Sequence, residues 1–318
     1  MPVHDDLGMR MKSYYEAIPK TRLMRRVPVA IRLDGKAFHT FTRGFEKPFD
    51  EVLGRSMRAT MKYLCENIQG CVLGFQQSDE ITLILIDYKK LTSSAWFDYE
   101  VQKMCSIAAS MATMAFNKFF TEFVYEVRPD DVRLPDPQEA NYKSVLYKAA
   151  EKGAMFDARV FNIPKEEVAN LIYWRQLDAT RNSIQMVGQA NFSHKELQNK
   201  SCNQIQDMLF QERDINWNDF PTHLKRGSCC VKVETSTVFA IEHEDGSVTT
   251  GAVERPHWEI DLEIPIFKGE DRQYINRRIL YDDGEPKPVV IFWNKSPIGV
   301  QEGFFDFYKK IWYNIYTR

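Results

Sequence analysis

The order of strands and helices predicted between residues 27 and 163 is the strongest constraint on how this chain can fold. Runs of aliphatic and β-branched residues predict four strands, and helically spaced apolar residues predict two long helices between them. The strands fall at residues 27–33, 71–75, 81–86 and 156–163, and the helices at residues 49–67 and 96–120. This β–α–β–β–α–β order is that of ferredoxin-like folds. We therefore expect an α+β fold, a palm-like antiparallel sheet with helices on one face.

The segments outside this core alternate between helical and extended patterns. Helices are predicted at residues 7–18, 165–178, 181–192 and 193–210, and Ser193 and Glu196 have the spacing of a capping box. Residues 125–143, which contain several prolines and aspartates, predict a loop. After Gly227, strands are predicted at residues 231–240, 258–265 and 289–293, with a terminal helix at 304–316. We therefore predict two domains, a palm-like domain at residues 1–228 and a C-terminal β-rich extension with a terminal helix at residues 229–318.

The composition indicates a globular protein. Of the 318 residues, 44% are hydrophobic and 27% are charged, which is typical of chains with a packed core. No apolar run is long enough to cross a bilayer, and the first ten residues lack the apolar segment of a signal peptide. We expect a cytoplasmic protein that binds no membrane. The net charge of −2 leaves nucleic-acid binding to local basic patches. The six cysteines have no CxxC spacing, so free thiols are expected and not a zinc site.

Two acidic turns stand at strand ends of the predicted sheet. Asp34 and Gly35 close the first strand, and Asp79 and Glu80 stand at the bend of the hairpin that follows. Because the first strand lies beside the hairpin in this topology, the carboxylates are expected to be neighbours. Carboxylates in such an arrangement can hold a pair of Mg²⁺ ions, which align the oxygens in phosphoryl or nucleotidyl transfer.

The groups around these turns suit a triphosphate. The backbone N–H groups of residues 35–39 predict an anion nest, and Lys47 and Ser78 are expected phosphate partners. Each motif alone also has an ordinary interpretation, since Asp-Gly is commonly just a turn and His39 is commonly a partly buried histidine. Walker A, GxGxxG, GxSxG and HExxH motifs are absent. The residues themselves therefore leave a metal-dependent nucleotide enzyme and an ordinary α/β protein open.

Several segments carry a more specific pattern. The chain reads IRLDGKAFH from residue 31, EKP from residue 46 and QSDE from residue 77. It then reads FDARV from residue 156, followed by Pro164, and WRQ from residue 174, followed by Asp178. In this order, the segments strongly resemble the tRNA(His) guanylyltransferase family, the reverse (3′→5′) polymerases. The resemblance covers roughly the first two thirds of the chain, with weaker agreement at residues 200–218 and 225–227.

The resemblance implies a palm-like catalytic core, a helical tRNA-binding part within residues 1–228, and two Mg²⁺ ions per active site. The implied metal ligands are Asp34, the Gly35 carbonyl and Asp79, and the implied catalytic residues are Asp34, Asp79 and Glu80. The implied nucleotide-binding residues are Asp34, Gly35, Lys36, Ala37, Phe38, His39, Lys47, Ser78 and Asp79. Weaker RNA contacts are implied at Arg32, Lys103, Arg175, Asn182, Lys225 and Arg226.

The resemblance also implies a reaction and its partners. Members of this family first adenylylate the 5′-monophosphate of a tRNA with ATP, and the 3′-hydroxyl of an incoming nucleotide then displaces AMP. Such chemistry depends on positioning and charge neutralisation. The implied partners are tRNA or tRNA-like RNA, ATP, GTP and other nucleoside triphosphates, and further copies of the chain in a homotetramer.

One stretch departs from the family pattern. Where guanylyltransferases that read the histidine anticodon carry His-Ile-Asn-Asn-Leu-Tyr-Asn, this chain has TRNSIQM at residues 180–186, and only Asn182 matches. The missing His and Tyr are of the types that contact and stack on RNA bases. The departure favours the guanylyltransferase-like branch, which repairs 5′-truncated tRNA by template-directed addition. The alternatives are a tRNA(His) guanylyltransferase adding G at position −1, a palm-type nucleotide cyclase, and a non-catalytic RNA-binding module.

Overall fold

The computed structural model describes residues 5–126, 137–242 and 248–280, all within one compact unit. The strands are β1 Val29–Gly35, β2 Cys71–Gln77, β3 Glu80–Leu85, β4 Phe156–Asn162, β5 Ser228–Glu242 and β6 Val248–Asp261. The helices are α1 Asp6–Met11, α2 Phe38–Phe41, α3 Glu51–Asn67, α4 Val101–Glu126, α5 Pro137–Lys152, α6 Val168–Asn191, α7 His194–Leu197, α8 Cys202–Arg213, α9 Thr222–Arg226 and α10 Gln273–Ile279. A π-helical stretch, Lys12–Glu16, continues α1.

The six strands form one antiparallel sheet in the order β4–β1–β3–β2–β5–β6. The first four strands in this order have the ferredoxin-like arrangement, so the predicted palm-like α+β fold is confirmed. β5 extends the sheet by pairing with β2, and it forms a long hairpin with β6. The C-terminal segment thus adds strands to the palm sheet. The division into domains at residue 228 stays a prediction.

The prediction of helices on one face of the sheet was too narrow, because helices cover both faces. Alternation along β1 sends Ile31 and Leu33 to one face, where they pack with residues of α3 and α4 as predicted. Ala30 points to the opposite face and joins a second core with residues of α6 and α10. Each fully buried aliphatic side chain contributes roughly 1.5–3 kcal/mol. β1 is therefore held rigidly between two layers, and its end is a stable platform for a site.

The second half of α6 carries a smaller core. Ile184 and Val187 pack against residues of α8 and against Trp217. The Trp217 indole N–H donates a hydrogen bond to the Ser183 hydroxyl at 3.1 Å. The predicted capping box at Ser193 is confirmed, and a second one starts α8 at Ser201.

Three predicted elements differ from the structure. After a 3₁₀ turn at Lys165–Glu167, α6 runs without a break from Val168 to Asn191. Buried Ala179 and the Thr180 hydroxyl, which donates to the Gln176 carbonyl, continue the helix where a break was expected. Helix α5 begins at Pro137, inside the predicted loop, and buries Leu146 and Ala149 against the core. The apolar side chains of the first helix are exposed, and none of its residues is buried. The predicted strand at 289–293 and helix at 304–316 lie outside the described residues.

Among the described residues, no helix combines the length and the apolar content that a membrane crossing requires.

Candidate active site

The structure brings the two acidic turns together at one edge of the sheet. Asp34 lies directly opposite Glu80 in the pairing of β1 with β3. The backbone N–H of Gly35 donates to the Asp79 carbonyl oxygen at 3.1 Å. On the other side of β1, Asp34 lies opposite Asp157 of β4. Four acidic residues, from three adjacent strands and the connecting turn, are therefore neighbours along this edge of the sheet.

Gly35 is required by the packing beneath the turn. A Cβ atom at this position would lie 2.2 Å from the ring of Phe38, far inside van der Waals contact. The Phe38 ring cannot retreat, because it is buried among the rings of Phe41, Phe116 and Phe156. The absence of a side chain thus lets the main chain turn tightly over the core beside Asp34.

Fewer backbone N–H groups are free to bind an anion than the predicted residues 35–39, because two of them already have acceptors. The Gly35 N–H is used by Asp79, and the Lys36 N–H donates to the Met155 carbonyl at 2.8 Å. Ala37 has a left-handed backbone, φ 55°, and starts α2. The first N–H groups of a helix have no acceptor within the helix, so residues 37–39 offer the amides for an anion. Lys36, His39 and Ser78 are exposed around them, whereas the Phe38 ring is buried.

Asp34 and Asp79 carry charge that the protein does not fully compensate. Burial raises the pKa of the Asp34 carboxyl, and the neighbouring Glu80 and Asp157 raise it further. Burial also raises the pKa of Asp79, with Asp34 adding to the effect and the Ser78 hydroxyl opposing it. Carboxylates whose ionised forms are disfavoured by burial and by acidic neighbours provide a site that a cation would stabilise.

The donor set fits Mg²⁺ bound together with a phosphate substrate. The described residues contain no group of three or more His, Cys, Asp or Glu side chains that could hold a metal. Mg²⁺ is commonly held by one or two carboxylates, with phosphate and water oxygens as its other ligands. Asp34, Asp79 and the Gly35 carbonyl supply that smaller set, and the uncompensated charge of the two aspartates supplies the attraction.

The raised pKa of Asp79 predicts a stability effect. A carboxyl whose pKa is higher in the folded state stabilises the fold at low pH, and that contribution is lost as the pH rises through the folded pKa. Without added metal, Asp79→Asn is therefore expected to increase the free energy of unfolding at pH 7, and to change it less near about pH 4. Urea denaturation at both pH values measures the difference. An equal change at both pH values would contradict this origin.

Glu80 differs from the two aspartates because its charge is compensated. Arg175 Nε lies 2.7 Å from Glu80 Oε1, and Arg32 Nη2 lies 2.8 Å from Oε2. Arg175 Nη2 also bonds Asp178 Oδ2 at 2.7 Å. The Arg175 side chain is only 7% exposed. These contacts hold β1, β3 and α6 together beside Asp34. Glu80 therefore has the contacts of a residue that positions the elements of the site. Its predicted catalytic role stays a prediction, as does RNA contact by Arg175.

The other predicted RNA and phosphate partners lie in different places. Lys47 is exposed on the segment before α3, near Asp50, which accepts the Leu53 N–H at the helix start. Lys103 stands in the first turn of α4, with its ammonium 4.9 Å from the Phe97 ring centre. Half-buried Asn182 lies on α6.

Helix α9 carries the last predicted pair, Lys225 and Arg226. Lys225 is buried, and its ammonium donates to the Asn218 carbonyl and lies 5.7 Å from the Trp217 ring centre. Arg226 is half-buried. The Lys225 charge is therefore engaged inside the protein, and its role toward RNA stays a prediction.

Sequence reasoning assigned no role to Asp157 and Arg159, although both fall in a segment that resembles the family. They lie opposite Asp34 and Arg32, respectively, on β4. The Arg159 charge opposes the rise in the pKa of Asp34. The two-residue spacing of a strand was the available signal, since it places both side chains on the face that carries Asp34.

Comparison with known proteins identifies the family of this chain. A family model described as tRNAHis guanylyltransferase matches residues 8–164. The structure of a bacterial tRNA(His) guanylyltransferase (Thg1)-like protein in complex with ATP is 38% identical, covering 86% of this chain and 100% of that chain with a TM-score of 0.68. A bacterial Thg1-like structure in complex with GTP is 35% identical, covering 87% and 100%, with a TM-score of 0.64. The tRNA(His) guanylyltransferase of Saccharomyces cerevisiae is 27% identical over 63% of this chain and 80% of its own length. With a Thg1-like relative matched over its whole length, this chain belongs to the tRNA(His) guanylyltransferase family of nucleotidyltransferases.

Proposed function

We propose that this protein is a metal-dependent 3′→5′ RNA nucleotidyltransferase that repairs the 5′ end of tRNA. Addition is directed by the opposite strand and proceeds through a 5′-adenylylated intermediate. The observation that carries the proposal is the meeting of Asp34 and Asp79 beside the tight turn at Gly35. The similarity to Thg1-like proteins solved with ATP and GTP supports nucleotide binding at such a site.

The residues at this edge have distinct tasks in the proposed reaction. The N–H groups of residues 37–39, with Lys36 and Ser78, bind and orient the triphosphate. Asp34, Asp79 and the Gly35 carbonyl would hold Mg²⁺, which supplies neutralisation of phosphate charge when bound. The 3′-hydroxyl of the incoming nucleotide loses its proton and forms a bond to the activated 5′-phosphorus, and the bond to AMP breaks.

Residues 180–186 support repair over recognition of the histidine anticodon. The Thr180 hydroxyl donates to the Gln176 carbonyl, and Arg181 pairs with Asp178. Ser183 accepts from the Trp217 indole, and Ile184 is buried in the small core beside α8. These side chains are engaged in folding α6 and its neighbours. The higher identity to Thg1-like proteins than to the yeast guanylyltransferase favours the same branch.

A direct assay tests the proposal. The protein is incubated with Mg²⁺, ATP, the other nucleoside triphosphates and a 5′-monophosphorylated tRNA that lacks its first nucleotide. We expect extension that stops at a full acceptor stem, and an added nucleotide that changes when the opposite nucleotide is changed. Addition of G whatever the opposite nucleotide would point to a guanylyltransferase. Cyclic nucleotide formation, or RNA binding without turnover, would overturn the proposal.

Metal binding has a readout independent of activity. Mg²⁺ with ATP is expected to raise the melting temperature of the wild-type protein, because a ligand that binds only the folded state stabilises it. The increase should be much smaller in Asp79→Asn and largely kept in Asp157→Asn, whose carboxylate lies at the same edge. Equal increases in all three proteins would exclude Asp79 from the metal site. The homotetramer, the second Mg²⁺ ion and the cytoplasmic location stay predictions.

A further inference from the structure

Trp174 stands apart from the other described tryptophans. Trp96, Trp217 and Trp258 are each 7% exposed, whereas Trp174 on α6 is 50% exposed. Leaving an indole half in water forgoes the free energy that its burial would provide. Exposed, well-held tryptophans are characteristic of binding surfaces. Its neighbourhood therefore indicates what it binds.

Two arginines hold the Trp174 ring next to the acidic edge. The guanidinium carbon of Arg175 lies 4.4 Å from the ring centre, and that of Arg32 lies 5.5 Å from it. Both guanidinium groups are fixed by their bonds to Glu80. Arg32 and Asp34 are two residues apart on β1, so they share a face of the sheet. The ring thus lies beside Arg32, on the face of the sheet that carries Asp34 and two residues before it along β1.

Two further arginines lie on the elements next to this ring. Arg159 lies directly opposite Arg32 across β1 and β4, and it is exposed beside Asp157, 3.5 Å away. Arg32 is shielded and paired with Glu80, so Arg159 is the member of this cross-strand pair that stays exposed to a bound anion. Arg181, seven residues after Trp174 on α6, adds another exposed cation. An aromatic platform bordered by several arginines has the chemistry that binds single-stranded nucleic acid.

From this juxtaposition we infer that Trp174 stacks on the base at the 5′ end of the bound RNA, while Arg159 contacts its phosphate. The inference rests on the proposed function, because it assumes that an RNA 5′ end reaches Asp34. The base of a nucleoside triphosphate has the same stacking chemistry. A single nucleotide does not need cations spread over both β4 and α6, and their spread favours RNA.

Binding measurements on the full chain test the inference without turnover. Fluorescence anisotropy is recorded, without nucleotides, for the 5′-truncated tRNA and for the same RNA whose first nucleotide lacks its base. Trp174→Ala is expected to weaken binding of the intact RNA on the order of 10-fold and to leave the abasic RNA unaffected. Trp174→Phe should retain most of the affinity. Leu91→Ala is the control, because Leu91 is an exposed apolar residue beyond the other end of β3.

Three results would overturn the inference. Trp174→Ala could weaken the binding of the intact and the abasic RNA equally, which would indicate a structural role. It could also leave the binding of both RNAs unchanged. It could also weaken the binding of ATP, but not of inorganic tripolyphosphate, and leave RNA binding unchanged. That result would mean that Trp174 stacks on the base of the nucleotide. If the wild-type protein failed to extend RNA, the proposed function would fall. The comparison of intact and abasic RNA would still report on Trp174.

Discussion

Asp79→Asn is expected to lower the rate of nucleotidyl transfer by at least about 10²–10³-fold, the scale on which loss of one preorganised electrostatic partner acts. Asp79 and Asp34 are neighbouring carboxylates whose ionised forms the protein leaves under-compensated. The substitution keeps the shape of the side chain and removes its charge. Single-turnover extension of pre-adenylylated RNA measures the effect on nucleotide addition alone.

Asp157→Asn is the matched control for this prediction. Asp157 lies opposite Asp34 at the same edge, but its side chain is exposed and adjoins Arg159. We expect it to retain most of the activity. Similar losses in the two variants would mean that general negative charge at this edge matters and that Asp79 is not a specific ligand.

Arg175→Ala is expected to destabilise the protein by about 3–5 kcal/mol, the cost of leaving a buried charge without its partner. Arg175 is the shared partner of Glu80 and Asp178, and all three side chains are largely shielded from water. Arg175→Lys should recover only part of the loss, since an ammonium cannot make the paired contacts of a guanidinium. Urea denaturation measures the change in stability from the shift of the unfolding midpoint, provided that the dependence of the unfolding free energy on urea is the same in each variant.

Arg181→Ala is the control, because it removes an exposed arginine from the same helix. Arg181 also pairs with Asp178, but it is exposed, so its removal should cost less than about 1 kcal/mol. If Arg175→Ala instead weakened RNA binding without changing stability, Arg175 would be an RNA contact as the family resemblance implies, and the buried network would be of secondary importance.

The contrast between Asp79 and Glu80 explains how one acidic turn can serve two purposes. Glu80 faces α6, where Arg32 and Arg175 neutralise it. Asp79 stays at the turn beside Asp34, without such a partner among its pKa influences. The compensated residue stabilises the edge, and the under-compensated pair attracts a cation at some cost to the stability of the metal-free protein.

Much of the core could be predicted because its signals are local. The apolar runs around Leu33 and Leu83 and the helical spacing between them specify strands, helices and their order. In a ferredoxin-like sheet, that order makes β1 the neighbour of β3. The approach of Asp34 to the hairpin turn followed from these patterns, and the pairing of Asp34 with Glu80 agrees with it.

Other features depended on contacts between distant residues. The predicted break in α6 was wrong because Ala179 is buried, which is a property of its neighbours and not of its own segment. The environments of Arg175 and Lys225 had no local signal either, since any arginine or lysine on a helix is first expected to face water.

The residues of the chain therefore specify the palm fold, the two acidic turns and their proximity, because hydrophobic periodicity and turn chemistry act over a few neighbouring residues. Burial, charge compensation and exposure arise when α6 packs across the face of the sheet, and they assign different tasks to similar side chains. Glu80 is neutralised, whereas Asp34 and Asp79 are not, and Trp174 is left half in water beside them. Those differences come from free energies of desolvation and ion pairing, which depend on neighbours up to 95 positions apart in the chain, as for Arg175 and Glu80.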